Sequence, residues 1–328
     1  MPPRLLLWSL SLALGIAMGT RGVRAVDDPA TQPAATTAAS PNPVVAAAEP
    51  SDDWIDDRGL LTAMGDAAGM LLSAEAQRDV PTLAELQDQL KRSDVVVPDL
   101  VEPSHDKEAV ADIYARAKES VALVGGVYKC PNCDRWHPSA ASGFFISPSG
   151  VLVTNYHVIA AESGRPNPYF AMLPSGRVFP LKEVLAADEA ADIAIVQVDL
   201  RDQHGDDSPV PALPLATATA TGQPAHVLSH PDGRYFALSS GIVSRRYLQR
   251  GTRWMTVTAD YARGSSGGPV LDEYGSVIGL VASTNGVYYD LDDAGSPRNL
   301  QMVWKQCVPV ENLRALIRPT SDPASPGL

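Results

Sequence analysis

Val151-Leu152-Val153-Thr154-Asn155-Tyr156-His157-Val158 is the stretch on which the fold class turns. Its first four residues have the β-branched and aliphatic make-up of a short strand, which then runs into a brief helical turn. Just before it, Ser147-Pro148-Ser149-Gly150 has Pro second and Gly last, as a type I turn prefers. Working outward, similar short runs bounded by turn residues occur at Val121–Val127, Gly143–Ile146, Ile193–Val198, Ala225–Leu228, Gly241–Val243, Thr256–Thr258, Val277–Val281 and Met302–Val308. No long helical period separates them, so the chain after residue 119 is read as all-β, a barrel or a sandwich. No repeat of fixed period is visible.

Composition narrows the classes further. The 328 residues are 45% hydrophobic, 20% charged and 6% aromatic. That suffices for one domain of about 200 residues plus extras, or for two small domains. Lys and Arg total 26 against 38 Asp and Glu, a formal charge of −12. Such a chain lacks the broad cationic surface that sequence-independent nucleic-acid binding requires, so nucleic acid is not expected as a partner. Three cysteines exclude a disulfide-built scaffold, and 28 prolines point to some linker.

Residues 1–25 read as a secretory signal. Arg4 supplies the positive n-region, and Leu5 to Gly19 are apolar apart from Ser9 and Ser11. That run is shorter than the roughly 20 residues that span a bilayer, and Val23-Arg24-Ala25 offers small residues at the two positions a signal peptidase reads. Export, to a periplasm or outside the cell, is expected, with no membrane span once the signal is removed. No cysteine precedes Cys130, so no lipid anchor is expected at the cleavage point. Removing Arg4, Arg21 and Arg24 from the 26 basic residues leaves 23 against 38 acidic, or −15 for the mature chain. Residues 26–50 are Ala, Pro and Thr with hardly a bulky side chain; they cannot offset their ordering entropy and read as a linker. Residues 51–118 read as helical. Thr82 and Glu85 form a capping box ahead of Leu83, Leu86 and Leu90, and Val110, Ile113, Tyr114 and Ala117 repeat at helical spacing. With fifteen acidic and seven basic residues the segment carries −8. It is read as a solvated preface packing one apolar stripe on the main domain, or alternatively as the element through which a homo-oligomer would form.

Gly264-Ser265-Ser266-Gly267-Gly268-Pro269 is the sharpest chemical signal. A serine nucleophile needs a tight turn that projects its hydroxyl while nearby N–H groups converge on a developing oxyanion, and glycines permit both. An ordinary Gly/Ser loop is the plain alternative. The pattern also fits the G-x-S-x-G elbow of α/β hydrolases, whose acid and histidine follow the serine. All six histidines (His105, His137, His157, His204, His226 and His230) precede Ser266, so that alternative fails. Histidine, then acid, then serine is the order of the chymotrypsin-type triad. His157 follows one strand run and Asp192 opens another, Asp192-Ile193-Ala194-Ile195-Val196-Gln197-Val198, where a carboxylate can hold the imidazole in one tautomer.

Residues 119–315, roughly the C-terminal 60% of the chain, resemble the trypsin-like protease domain of the high-temperature-requirement (Deg-type) serine proteases. The similar stretches are Ala141 to Ile146, Thr154-Asn155-Tyr156-His157-Val158, Asp192-Ile193-Ala194, Ser240-Gly241-Ile242-Val243-Ser244 and Gly264 to Pro269. The resemblance implies an all-β fold of two six-stranded barrels of the chymotrypsin/trypsin type, here residues 119–318, behind the short helical segment and followed by a tail at 319–328. It implies His157 as general base, Asp192 as its orienter, Ser266 as nucleophile, and the N–H groups of Gly264 and Ser266 as oxyanion hole.

The chain departs from that pattern in three places. Ser265 stands where digestive trypsin-like enzymes carry an aspartate that pairs with a newly cut N-terminus, so that activation switch is not expected, and whether the oxyanion loop is preformed stays open. The dozen or so residues after the closing helix, Val310–Ile317, are too few for the PDZ domain that Deg-type enzymes usually carry. In the substrate pocket Asp260, six residues before Ser266, sits at the offset where an aspartate would favour Lys or Arg before the scissile bond. Thr284, at a position where trypsins use glycine, would narrow that pocket, and Asp260 reads equally well as a hydrogen-bonding loop residue.

Cys130-Pro131-Asn132-Cys133 with His137 looks like half a zinc site, with Cys307 as a conceivable further ligand. In an exported protein a Cys130–Cys133 disulfide is the preferred reading, leaving Cys307 as a buried thiol. Asp290 to Gly295 fails the calcium-loop spacing and reads as a solvated loop. The expectation is an exported serine endopeptidase acting on proteins or peptides, with no metal and no organic cofactor. The rivals are a protease-fold binding or chaperone-like module of poor activity, and an esterase using the same triad.

Overall fold

Strands of the central region are apolar at nearly every position because the protein covers both of their faces. A computed structural model describes residues 54–71, 80–129, 136–161, 169–201, 208–292 and 295–319. The expected signal peptide, the 26–50 linker, the Cys130–Cys133 pair and the last residues of the tail lie outside the described residues.

The preface contains α1 (Asp57–Leu71), α2 (Leu83–Asp88), a two-residue strand β1 (Val95–Val96) and α3 (Val110–Lys118). Between α2 and α3 the chain passes through turns and coil with β1 as its one strand, so that stretch is less helical than its periodicity suggests. The capping box forms: Thr82 N–H donates to Glu85 Oε2 at 2.8 Å and Glu85 N–H to Thr82 Oγ1 at 3.3 Å. Met64, Leu83, Leu86, Ile113 and Ala117 are all buried.

Twelve strands then close two six-stranded barrels. The first contains β2 (Val121–Lys129), β3 (Trp136–Ser147), β4 (Val151–Thr154), β5 (Phe170–Met172), β6 (Val178–Asp188) and β7 (Ile193–Val198), with the short helix α4 (Tyr156–Ala160) after β4. Its hydrogen-bonded order is β2-β3-β4-β7-β6-β5, closed by the β2–β5 pair. The second contains β8 (Pro224–Ser229), β9 (Ala237–Gln249), β10 (Thr252–Val257), β11 (Pro269–Leu271), β12 (Val277–Leu291) and β13 (Pro297–Pro309), in the order β10-β13-β12-β11-β8-β9. Helix α5 (Val310–Ala315) and strand β14 (Ile317–Arg318) follow, and β14 pairs in parallel with β1.

Two hydrophobic clusters divide the first barrel's strands by alternation. Ala122, Val124, Phe145, Leu152, Ala194 and Val196 pack with Leu83 and Leu86 of α2. Val121, Leu123, Phe144, Ile146, Val151, Val153, Ile193 and Ile195 join the core of the second barrel together with Ile113 and Ala117 of α3. Strands buried on both faces read as continuous apolar runs rather than alternating ones.

Nine strand positions were legible, two of them, Val151–Thr154 and Ile193–Val198, to the residue. β5, β6 and β11 were missed. β12 and β13 run well beyond Val277–Val281 and Met302–Val308, as a two-stranded ribbon exposed from Ser283 onward. Asp290 to Asp292 and Gly295 lie at the tip of that ribbon.

Candidate active site

Three elements carry the candidate residues, and two of them meet. β4 ends at Thr154, and α4 starts at once, presenting His157 on its first turn. β7 starts immediately after Asp192, whose φ of 56° is the left-handed conformation that aspartate tolerates better than most residues. Asn155 Nδ2 donates to Asp192 O at 2.8 Å and holds that bend against the end of β4. The carboxylate meets His157 twice. His157 Nδ1 lies 2.9 Å from Asp192 Oδ2, and the His157 backbone N–H donates to Oδ1 at 3.0 Å. An ionised carboxylate only accepts, so Nδ1 carries a proton, and in the neutral imidazole Nε2 is then the acceptor. The imidazole is half exposed and the carboxylate largely covered, at 51% and 18% of their side-chain surfaces.

The third element is the loop from Asp260 to Gly268. Gly264 and Gly267 have φ of +94° and +82°, and a Cβ at either would meet backbone oxygen, His230 O at 2.5 Å or Ser142 O at 2.3 Å. No other residue type fits these positions without the loop moving. Ser266 Oγ donates weakly to Ala282 O at 3.4 Å, and no hydrogen bond joins it to His157. Ser265 N–H, Gly267 N–H and Gly268 N–H are bonded to Ala262 O, Val281 O and Ser265 O. By contrast, neither the Gly264 nor the Ser266 N–H has a partner among the described residues.

The loop is fixed from outside. The Arg263 carbonyl accepts from Asp232 N–H at 2.6 Å, which turns the peptide so that the Gly264 N–H points the other way. Ser142 of β3 donates through its amide to Ser266 O at 2.8 Å and through Oγ to Gly264 O at 3.0 Å. The same Oγ accepts from His230 N–H at 3.2 Å. Ser265, fully buried, takes a hydrogen bond from Ser229 Oγ at 3.0 Å and one from Ala262 N–H at 3.4 Å. Hydroxyls thus fill the place where a carboxylate would demand a cationic partner.

Ser142, Ser229, His230 and Asp232 were not singled out from the sequence for these roles. Ser142 lay inside a stretch quoted for its resemblance, but its task depends on residues more than eighty positions away. His230 is buried, accepts from Phe236 N–H through Nδ1 at 3.0 Å, and is pushed down to about 4 by burial.

Asp260 stands at the start of the serine loop. Its side chain is exposed and ion-paired with Lys305 of β13, while Thr284 stands opposite Lys305 in the β12–β13 register. Cys307 is a buried free thiol beside the Tyr261 hydroxyl, and burial pushes it up to about 12. No cluster of metal-ligating side chains occurs among the described residues.

The trypsin-like peptidase domain family matches residues 141–280, which hold His157, Asp192 and Ser266. The chain is similar to the putative serine protease HhoA of Synechocystis sp., at 30% identity over 166 residues, 48% of this chain and 40% of that one. It is also similar to a probable periplasmic serine endoprotease, DegP-like, of Hahella chejuensis, at 30% identity over 146 residues, covering 43% and 29% of the two chains. The alignments span less than half the length of these curated relatives. A solved HtrA-type protease, AlgW with decapeptide, gives a TM-score of 0.48 at 19% identity, covering 64% of this chain and 66% of that one.

Proposed function

We propose that the chain is an exported serine endopeptidase that hydrolyses peptide bonds through an acyl-enzyme. The observation that carries this reading is the combination of a His157 imidazole held in the base-competent tautomer with two unpartnered amides flanking the serine turn. Ser266 Oγ turns about χ1 from Ala282 O toward His157 Nε2, a change that serine side chains make readily and that substrate binding favours. His157 takes the hydroxyl proton as Ser266 attacks the carbonyl carbon. The resulting oxyanion is received by the Gly264 and Ser266 N–H groups. His157 then protonates the leaving amine, and water attacks the acyl-enzyme by the same route. Asp192 stabilises the imidazolium without itself being protonated.

Export is supported by the apolar N-terminal segment and by relatives described as periplasmic. No helix among the described residues is long and apolar enough to cross a membrane. Protein or peptide substrates follow from the proposed chemistry.

Hydrolysis of casein and of a small activated ester, each with Ser266→Ala beside the unaltered chain, tests the reading. An endopeptidase cleaves both, and the substitution abolishes both. Ester hydrolysis without casein cleavage would favour an esterase, because only the peptidase must protonate an amine leaving group. Loss of neither activity on substitution would remove Ser266 from the mechanism.

A further inference from the structure

An ion pair joins the serine loop to the β12–β13 ribbon. Ser266 Oγ lies against Ala282 O. Two residues further along β12 is Thr284, which faces Lys305 across the β12–β13 ladder. Two strand rises are roughly 7 Å, and the ladder shifts register between Val281 and Ser283, so the Thr284–Lys305 pair lies close along the ribbon to the carbonyl that Ser266 touches. Asp260 reaches the same place from the serine loop, and its Oδ1 is ion-paired with Lys305 Nζ. The loop is pinned there: Asp260 O accepts from Ser239 Oγ, and the Tyr261 hydroxyl contacts Ser283 O at 3.0 Å and Gln306 O at 2.8 Å. The two charges differ in setting, with Lys305 only 14% exposed and Asp260 90% exposed. The lysine stem therefore fills the space between loop and ribbon, and the carboxylate stands at its outer end.

On the reading that the chain is a peptidase, we propose that Lys305 is a specificity-determining residue. Its side chain occupies the primary subsite and neutralises Asp260, so the subsite accepts an uncharged side chain before the scissile bond and refuses lysine or arginine. A basic side chain entering the groove would meet the ammonium at close range and would have to displace it from its carboxylate. Like-charge juxtaposition of this kind is how a binding site discriminates against a wrong partner. Asp260 alone would have the opposite preference; Lys305 reverses it from within.

The test uses p-aminobenzamidine, an amidinium whose binding beside a carboxylate needs no nucleophile, titrated by fluorescence against the full chain. Lys305→Met keeps the stem and removes the charge, with Lys305→Gln as a second variant should the first fail to fold. Either should bind the amidine at least about tenfold more tightly than the unaltered chain, and adding Asp260→Asn should reverse the gain. Equal binding by the unaltered chain and a folded Lys305 variant would overturn the proposal, as would a gain that survives Asp260→Asn. Labelling of the same samples with a fluorophosphonate reads the peptidase proposal separately. A gain in amidine binding without labelling would sustain the subsite and sink the peptidase reading, and labelling without any gain would do the reverse.

Discussion

Ser142 shows how much of the site depends on one small side chain. Its hydroxyl joins Gly264 O to the His230 amide and its own amide holds Ser266 O, so both sides of the serine turn hang from it. Ser142→Ala leaves a buried donor and acceptor unpaired. We expect a loss of about 1–3 kcal/mol in urea unfolding and a slower reaction of Ser266, with kcat falling more than KM changes. His230 beneath the loop gives a pH dependence of defined sign. Burial holds it at about 4 against an ordinary 6.5, outweighing the opposing pull of the Ala122 backbone. The folded chain keeps it neutral while the unfolded chain takes up a proton below 6.5. Its contribution is complete above pH 6.5 and is lost, to the extent of about 3 kcal/mol, as the pH falls to 4. His230→Asn supplies an amide oxygen to the Phe236 N–H in place of Nδ1 and should flatten stability across that interval, measured as urea midpoints against pH. The His157–Asp192 contact was foreseeable, and Ser266 was singled out, because each of the three sits in a short local pattern. Ser142, His230 and Lys305 were not, because each acts through a partner distant in sequence.

Helix α4 carries the candidate base, and its end is held by a neighbour from the preface. Gln87 of α2 donates from Nε2 to Ile159 O at 3.0 Å and Ala161 O at 3.1 Å, satisfying carbonyls that the short helix leaves open. Gln89 Oε1 accepts from Val184 N–H at 2.7 Å and ties the same helix to β6. Gln87→Ala should therefore lower the melting temperature by a few degrees, the shift that about 1 kcal/mol produces in a domain of this size, and slow the labelling of Ser266. An unchanged labelling rate in the folded variant would detach α2 from the site. The missed strands have local causes. β5 is three residues long, β11 starts on a proline, and β6 breaks its alternation at Lys182-Glu183, where its pairing with β7 shifts register. The β12–β13 ribbon was read short because polar residues and Gly286 follow the apolar run and nothing local signals that pairing continues.

Across the whole molecule the preface belongs to the folded domain. Ile113 and Ala117 lie in the core of the second barrel, Asp57 Oδ1 accepts from Tyr235 N–H at 3.0 Å, and β1 pairs with β14. Ile113→Ala should cost about 2–5 kcal/mol, whereas Val110→Ala, at an exposed position of the same helix, should stay within about 0.5 kcal/mol. Equal effects in thermal unfolding would mean that α3 is not packed as described. The twelve-strand architecture was implied by a few motif stretches, but the closure of each barrel and the wrapping of the preface rest on long-range pairs that no local period encodes. The central claim is that the two barrels hold His157, Asp192 and Ser266 as one working unit. Fluorophosphonate labelling of the full chain, beside Ser266→Ala and His157→Ala, tests it most directly. The account predicts stoichiometric labelling of the unaltered chain, none of Ser266→Ala and a rate lowered at least about a hundredfold in His157→Ala. A folded unaltered chain that resists labelling, or one labelled equally well without His157, would contradict it.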